Sequence, residues 1–207
     1  LFYQPSKIGF SLPEWIADFS QHYVTTTDAG VRMQFVIAAS QKNIEEASGG
    51  PFAAAVFEAK TGQLVSLGVN LVMTEGLSML HAEIVAIAIA QRKLNTYDLG
   101  GISMPDYELA ISTEPCAMCL GAIPWSGIRH VMTGATDEDA RAIGFDEGTK
   151  PENWVHILNE RGIQVKTHIE QEAARAVLEF YKSHDGHIYN SRERGLIRNT
   201  CPGNRER

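Results

Sequence analysis

Long apolar runs are missing from this chain. No stretch approaches the ~18 residues that a membrane-crossing helix needs, so a helical span is excluded. Cysteine is scarce too, three in 207 residues, which rules out a disulfide framework and makes a four-cysteine structural zinc site impossible. Basic charge is also in short supply: the formal net charge is −7, whereas a broad phosphate-binding surface requires clustered Lys and Arg. What basic charge there is gathers at the end. Arg192, Arg194, Arg198, Arg205 and Arg207 stand against only Glu193 and Glu206, leaving residues 1–190 with 13 basic and 23 acidic groups, net −10. Nucleic acid is therefore not an expected partner. Residues 1–10 show no basic-then-apolar secretory pattern, so a cytoplasmic location is expected.

What is present fits a single globular domain. Hydrophobic residues make up 44% and charged residues 21%, enough apolar surface for one core at this length. A short amphipathic helix is expected over Glu14–Tyr23. A longer one is expected over Ala29–Ala47, capped by Asp28, with Val31, Phe35, Ala38 and Ala39 on its apolar face. Residues 1–50 thus read as a helical segment packing on the core. Ser48-Gly49-Gly50-Pro51 breaks the chain, and Phe52–Ala59 and Leu64–Met73 flank Lys60-Thr61-Gly62-Gln63 as an antiparallel hairpin. His81–Leu94 is apolar nearly all round, as a helix laid against a sheet should be. Tyr107–Ser112, Cys116–Trp125 and Ile128–Gly134 alternate as strand, helix, strand, the pattern of a layered α/β domain. Helices over Pro151–Arg161 and Gln171–Ser183, with a strand over Ile163–Ile169, complete the catalytic domain at 51–190. Residues 191–207 form a basic tail, in which Cys201 reads as a bystander.

Two short motifs carry the chemistry. His81-Ala82-Glu83 places a nitrogen ligand and a carboxylate at the entry to one helix, and Pro115-Cys116-Ala117-Met118-Cys119 places two thiols at the entry to another. Unpaired N–H groups and the helix dipole stabilise thiolates there. Pro115 suits such a start, where a missing N–H costs little. Three ligands of this kind, His81, Cys116 and Cys119, match a catalytic zinc site that leaves one position for water. The combination is a known zinc deaminase signature, in which the carboxylate, here Glu83, is not a ligand but moves protons. Zinc lowers the pKa of bound water toward ~7, giving a hydroxide nucleophile at neutral pH. Alone, an H-x-E is ordinary surface sequence and a C-x-x-C is commonly redox-active; their joint occurrence is what specifies the chemistry.

Around these motifs the chain resembles the cytidine deaminase-like superfamily and, within it, the short-chain bacterial guanine deaminases. The resemblance runs from about Gly50 to Asn190. It includes Gly50-Pro51-Phe52-Ala53-Ala54-Ala55-Val56, the HAE segment, Glu114-Pro115-Cys116-Ala117-Met118-Cys119-Leu120-Gly121-Ala122-Ile123 and Ile143-Gly144-Phe145-Asp146-Glu147-Gly148. It implies a three-layer α/β/α fold on a five-stranded mixed sheet, one zinc ion per subunit, and hydrolysis of guanine to xanthine and ammonia. It also implies a homodimer, with C-terminal elements that can be exchanged. Glu147, at the end of a polar, solvent-like stretch from Asp137, would be a second catalytic carboxylate beside Glu83. Phe52, Asn70, His81, Ala82, Trp125 and Tyr189 would contact a purine base, with Phe52 and Trp125 as aromatic walls and Tyr189 as part of a closing segment.

Other readings remain open at this stage. A tRNA adenosine deaminase would share the motifs but needs an RNA surface, which the acidic body opposes and the tail arginines alone favour. Guanosine, cytosine or an aminotriazine such as ammeline could replace guanine. A non-enzymatic zinc module would use the three ligands and leave Glu83 idle.

Overall fold

The computed structural model describes residues 2–190. Strand β1 (Ala53–Glu58) turns through 59–63 into β2 (Leu64–Val69), and the two pair antiparallel as a hairpin. Gly62 makes this turn possible. Its φ is +73°, and a Cβ there would lie 1.8 Å from the Thr26 carbonyl oxygen, so neither the conformation nor the space admits a side chain. On its other edge β1 pairs antiparallel with β3 (Tyr107–Thr113), after which β4 (His130–Ala135) and β5 (Gln164–Lys166) add in parallel. The sheet order β2-β1-β3-β4-β5 is therefore mixed, as the sequence implied.

Parallel neighbours need crossovers. Helix α5 (Ala117–Ser126) connects β3 to β4, and α6 (Asp137–Ile143) and α7 (Trp154–Glu160) lie between β4 and β5. The alternation of side chains along each strand divides the interior into two cores. Ala53, Ala55, Phe57, Ala110 and Met132 face a core completed by α2 (Ala29–Glu45) and α8 (Gln171–Ser183). Ala54, Val56, Leu109, Ile111 and Val131 face the other, completed by α4 (Ala82–Leu94), α5 and α7. The result is a three-layer α/β/α sandwich with α2 as an integral part of one layer.

The buried face of α2 differs from the expected one. Arg32, Met33, Val36, Ile37, Ala39, Ser40 and Asn43 are buried, while Val31 is 47% exposed and Ala38 lies at the surface. Counting apolar residues misplaced the face because it buries three polar residues: Ser40, which bonds the Ile37 carbonyl within the helix, and Arg32 and Asn43, which find partners on other elements. Asp28 does cap this helix, accepting from the Val31 N–H at 3.0 Å. Two helices are additions to the sequence reading: the single turn α3 (Val72–Glu75) and α6, which occupies the start of the polar Asp137–Glu147 stretch. Thr136 and Asp139 close a reciprocal capping box on α6. The remaining helix, α1 (Trp15–Gln21), packs Trp15 and Phe19 against the α2 core.

The position of α4 decides where the first motif sits. A Cβ on Gly68 of β2 would come 2.4 Å from the Ala86 nitrogen and 2.6 Å from the Ala82 carbonyl oxygen, so the missing side chain lets α4 lie directly on the sheet. Ser66 fixes the register by donating to the Ala86 carbonyl at 2.8 Å. Among the described residues no helix is long and apolar enough to cross a membrane. The basic tail, Cys201 included, lies outside the described residues.

Candidate active site

His81 and Cys116 occupy equivalent positions. Each is the N-cap of its helix, α4 and α5, with extended backbone (φ −68°, ψ 156° and φ −64°, ψ 171°) and no side-chain capping bond. An N-cap side chain commonly turns back to bind its own helix. Here the two turn toward each other, with His81 Nδ1 3.4 Å from Cys116 Sγ. Cys119, one turn into α5 and fully buried, completes the cluster, and the three ligand atoms lie within 4.8 Å of one another. Tetrahedral zinc with Zn–N near 2.0 Å and Zn–S near 2.3 Å places its ligand atoms roughly 3.5–3.8 Å apart.

Electrostatics make the same demand. A hydrogen bond from the Cys119 thiol, opposed by burial and aided by neighbouring His81, pulls Cys116 down to about 4. The same hydrogen bond, together with burial, pushes Cys119 well above its ordinary value. Burial acts to lower His81, but Cys116 and the charges of Glu83 and Glu147 carry it above its usual range. One buried thiolate beside a second thiol held protonated is a donor set that a divalent cation completes, because the cation lets both sulfurs ionise. The residues fit zinc.

Next to the trio lie two buried carboxylates. Burial, reinforced by the Cys116 charge, pushes Glu83 up to about 7. Burial also pushes Glu147 up to about 8; Cys116, Glu83 and Asp137 add to the effect and Lys150 opposes it. Both line one cavity of about 160 Å³, with His81, Cys116, Phe52, Asn70, Phe145, Tyr189 and Asn190 among its other walls. Glu147 is only 7% exposed, so it is no surface acid.

Of the expected base-contacting residues, Phe52, Asn70, His81 and Tyr189 are brought to this cavity and Trp125 is not. Ala82 is fully buried at the start of α4, without a place in the lining. Trp125 is 87% exposed and borders shallow outer depressions with Pro124 and Arg161. The reason is helical rise: at 1.5 Å per residue, the far end of α5 stands about 13 Å from Cys116 at its start. In its place the structure supplies Phe145, whose ring meets Phe52 at 4.9 Å and Tyr189 at 5.0 Å between centroids. Phe145 stands in the Gly-Phe-Asp-Glu segment already singled out, so the signal was there; its role as a wall was missed because its neighbours come from both ends of the domain. The Asn70 Oδ1 accepts from the Val72 N–H at 3.2 Å, and its amide nitrogen has no hydrogen bond among the described residues.

Fold and geometry together define a class: a layered α/β protein whose His/Cys/Cys metal centre opens on a small cavity holding two protonatable carboxylates. Residues 27–135 match the cytidine and deoxycytidylate deaminase zinc-binding region, and the chain belongs to that family. It is therefore a zinc-binding deaminase-type hydrolase of C–N bonds. The fold is similar to the crystal structure of a guanine deaminase from Nitrosomonas europaea, with a TM-score of 0.83 at 41% identity over 88% of this chain and 100% of that one. A variant of NE0047 in complex with 8-azaguanine superposes with the same TM-score, 40% identity and the same coverage. The guanine deaminase of Bacillus subtilis (strain 168) is 40% identical over 99 residues, 48% of this chain. The matched stretch spans 59% of that relative's length.

Proposed function

We propose that this protein hydrolyses guanine to xanthine and ammonia. The observation that carries the reading is the meeting, at one small cavity, of the metal trio through His81 and Cys116, two buried carboxylates, an Asn70 side-chain nitrogen with no hydrogen bond among the described residues, and a cluster of aromatic rings. Similarity along the whole of the Nitrosomonas guanine deaminase supports it, as does a guanine-like base held by NE0047.

His81, Cys116 and Cys119 would hold the zinc ion, which when bound lowers the pKa of water toward ~7 and so supplies a nucleophile at neutral pH. Glu83 takes the proton that the attacking water gives up and returns it to the ring nitrogen of the base. This is general acid–base work suited to a carboxyl within reach of both groups. Once water has added at carbon 2, Glu147 handles the proton that the exocyclic amine needs, so the C–N bond breaks and ammonia leaves. Phe52, Phe145 and Tyr189, packed edge to face on one another, form an aromatic wall for a planar ring, and the Asn70 amide reads its edge. The closing segment, Tyr189 and Asn190, excludes bulk water from the reacting atoms. A homodimer would cover Met118 and Trp125, both exposed on α5, and reduced thiol ligands suit a cytoplasmic setting.

The test is ammonia release by the zinc-loaded protein from guanine, with guanosine, cytidine, adenine and ammeline in parallel. Conversion of guanine to xanthine with one ammonia per turnover is expected. Silence on guanine with turnover of another of these would keep the zinc chemistry and replace the substrate.

A further inference from the structure

Asn43, in the last turn of α2, is fully buried and uses every polar atom of its side chain. Its Nδ2 donates to the Gly50 carbonyl at 2.8 Å and to the Asn70 carbonyl at 3.1 Å. Its Oδ1 accepts from Ser48 Oγ at 2.9 Å, and Ser48 Oγ in turn accepts from Trp15 Nε1 of α1 at 3.0 Å. Thr74 adds a bond to the Ser48 carbonyl at 3.1 Å. The network is packed as closely as it is bonded: a Cβ on Gly49 would sit 1.8 Å from the Asn70 carbonyl oxygen and 2.7 Å from Asn43 Nδ2.

The two carbonyls held by Asn43 belong to Asn70, which lines the cavity, and to Gly50, two residues before Phe52, which also lines it. Gly50 O also accepts the Phe52 N–H at 2.9 Å, and Phe52 O accepts the Asn70 N–H at 3.0 Å. Phe52 and Asn70 are thus bonded to each other through their backbones and anchored on either side by one buried amide. None of Asn43, Ser48 and Trp15 lines the cavity. The metal trio hangs from different anchors, α4 on β2 through Gly68 and Ser66, and the start of α5 through the Glu147 carbonyl, which accepts from the Ala117 N–H.

We infer that Asn43 is a positioning residue for base binding: it sets Phe52 and Asn70 against the cavity, and the N-terminal helix holds it in place through Trp15 and Ser48. A satisfied buried network of this kind specifies one arrangement of the groups it joins. Because Asn43 bonds Gly50 and Asn70 and none of the metal ligands, the nearest tie between the two sides being the Leu71 N–H to the Leu80 carbonyl at 2.9 Å, its loss acts on recognition of the base before it acts on the metal or on proton transfer. The helix α1 then serves the site without touching it.

The inference rests on the guanine reading for its ligand but not for its geometry, and the experiment separates the two. Zinc-loaded full-length protein and the variants Asn43→Ala, Ser48→Ala and Trp15→Phe are compared in four ways. These are zinc per chain, thermal midpoint, amide hydrogen exchange at Phe52 and Asn70, and 8-azaguanine affinity by calorimetry, with KM and kcat for guanine alongside. Expected are full zinc, faster exchange at both amides, and a dissociation constant and KM raised on the order of tenfold in Asn43→Ala, with kcat changed less. Smaller effects in the same direction are expected in the other two variants. Should Asn43→Ala fail to fold, Ser48→Ala and Trp15→Phe, both at half-buried positions, carry the test. Unchanged exchange at Phe52 and Asn70, or a lowered thermal midpoint with unaltered affinity and KM, overturns the inference and leaves Asn43 a stabilising residue only. If the unaltered protein binds no 8-azaguanine, the guanine reading falls, while faster exchange at the two amides in the variants still supports the positioning role.

Discussion

The amide of Ala117, the first residue of α5, donates to the backbone carbonyl of Glu147 at 2.9 Å. One of the orphan N–H groups at the helix start is thereby satisfied by the residue whose carboxyl enters the cavity. Cys116 and Glu147 are thus tied through the main chain, and a side-chain change at 147 leaves that tie intact. Glu147→Gln is therefore expected to retain fold and zinc while guanine turnover falls by about 10²–10⁴-fold, the usual worth of a positioned acid or base. Steady-state rates and metal content measured on the same sample decide it; undiminished kcat would remove Glu147 from proton transfer.

Metal removal gives a second expectation. A ligand that binds only the folded state stabilises it by mass action, about 4 kcal/mol at a thousandfold excess over Kd. Stripping zinc with a chelator should lower the thermal midpoint, and His81→Ala, Cys116→Ala or Cys119→Ala should lose zinc and turnover together. Glu83→Gln should keep the metal and lose turnover by orders of magnitude, because it removes a proton carrier and no ligand. A ligand variant with full zinc and full rate would take that residue out of the centre.

These expectations were reachable from the sequence because the motifs are local. H-x-E and P-C-x-x-C each lie within five residues, and helix entry alone orients them, so His81, Glu83, Cys116 and Cys119 could be named before any fold was known. The elements were legible for a similar reason: the periodicity of α8 gave Gln171–Ser183, the bounds the structure has. What stayed hidden depends on partners distant in the chain. The face of α2 was misjudged because Arg32 and Asn43 are buried against residues of β3 and the end of β2. Trp125 was placed at the cavity because its aromatic character was visible and its distance along α5 was not weighed. Phe145 was passed over as a wall because its neighbours Phe52 and Tyr189 come together only in the folded chain.

Acid should probe the start of α6. Burial alone would raise the Asp139 carboxyl, but it accepts from the Thr136 N–H at 2.9 Å, from the Gln171 amide at 3.1 Å and from the Thr136 hydroxyl at 3.0 Å, and its pKa ends lowered. A carboxyl lowered in the folded state contributes stability that is complete above its unfolded value near ~3.9 and is lost as pH falls through the folded value. Asp139→Asn should accordingly be less stable than the parent at neutral pH, with the gap closing below about pH 4. Urea midpoints of both proteins between neutrality and acid test this; a gap that does not vary with pH would assign the effect to capping geometry alone.

Arg32 and Glu108 pose the opposite case, a buried pair that is incompletely satisfied. Arg32 Nη2 approaches Glu108 Oε1 to 2.9 Å with the two side chains 4% and 5% exposed. Among the described residues Nε and Nη1 of Arg32 have no hydrogen-bond partner, and Glu108 Oε1 takes part as an ion-pair atom without hydrogen-bond alignment. The guanidinium also lies 5.6 Å from the centre of the Phe57 ring. Desolvating both charges costs several kcal/mol each, and a network with open valences recovers only part of that. Removing one partner strands the other: Arg32→Met should destabilise by about 3–5 kcal/mol. Removing both leaves an apolar seam between α2 and β3, so Arg32→Met with Glu108→Leu should regain most of that loss. Denaturant unfolding of the two single variants and the double variant closes the cycle. A double variant as unstable as the sum of the singles would mean that the pair contributes through the packing of each side chain and not through their charges.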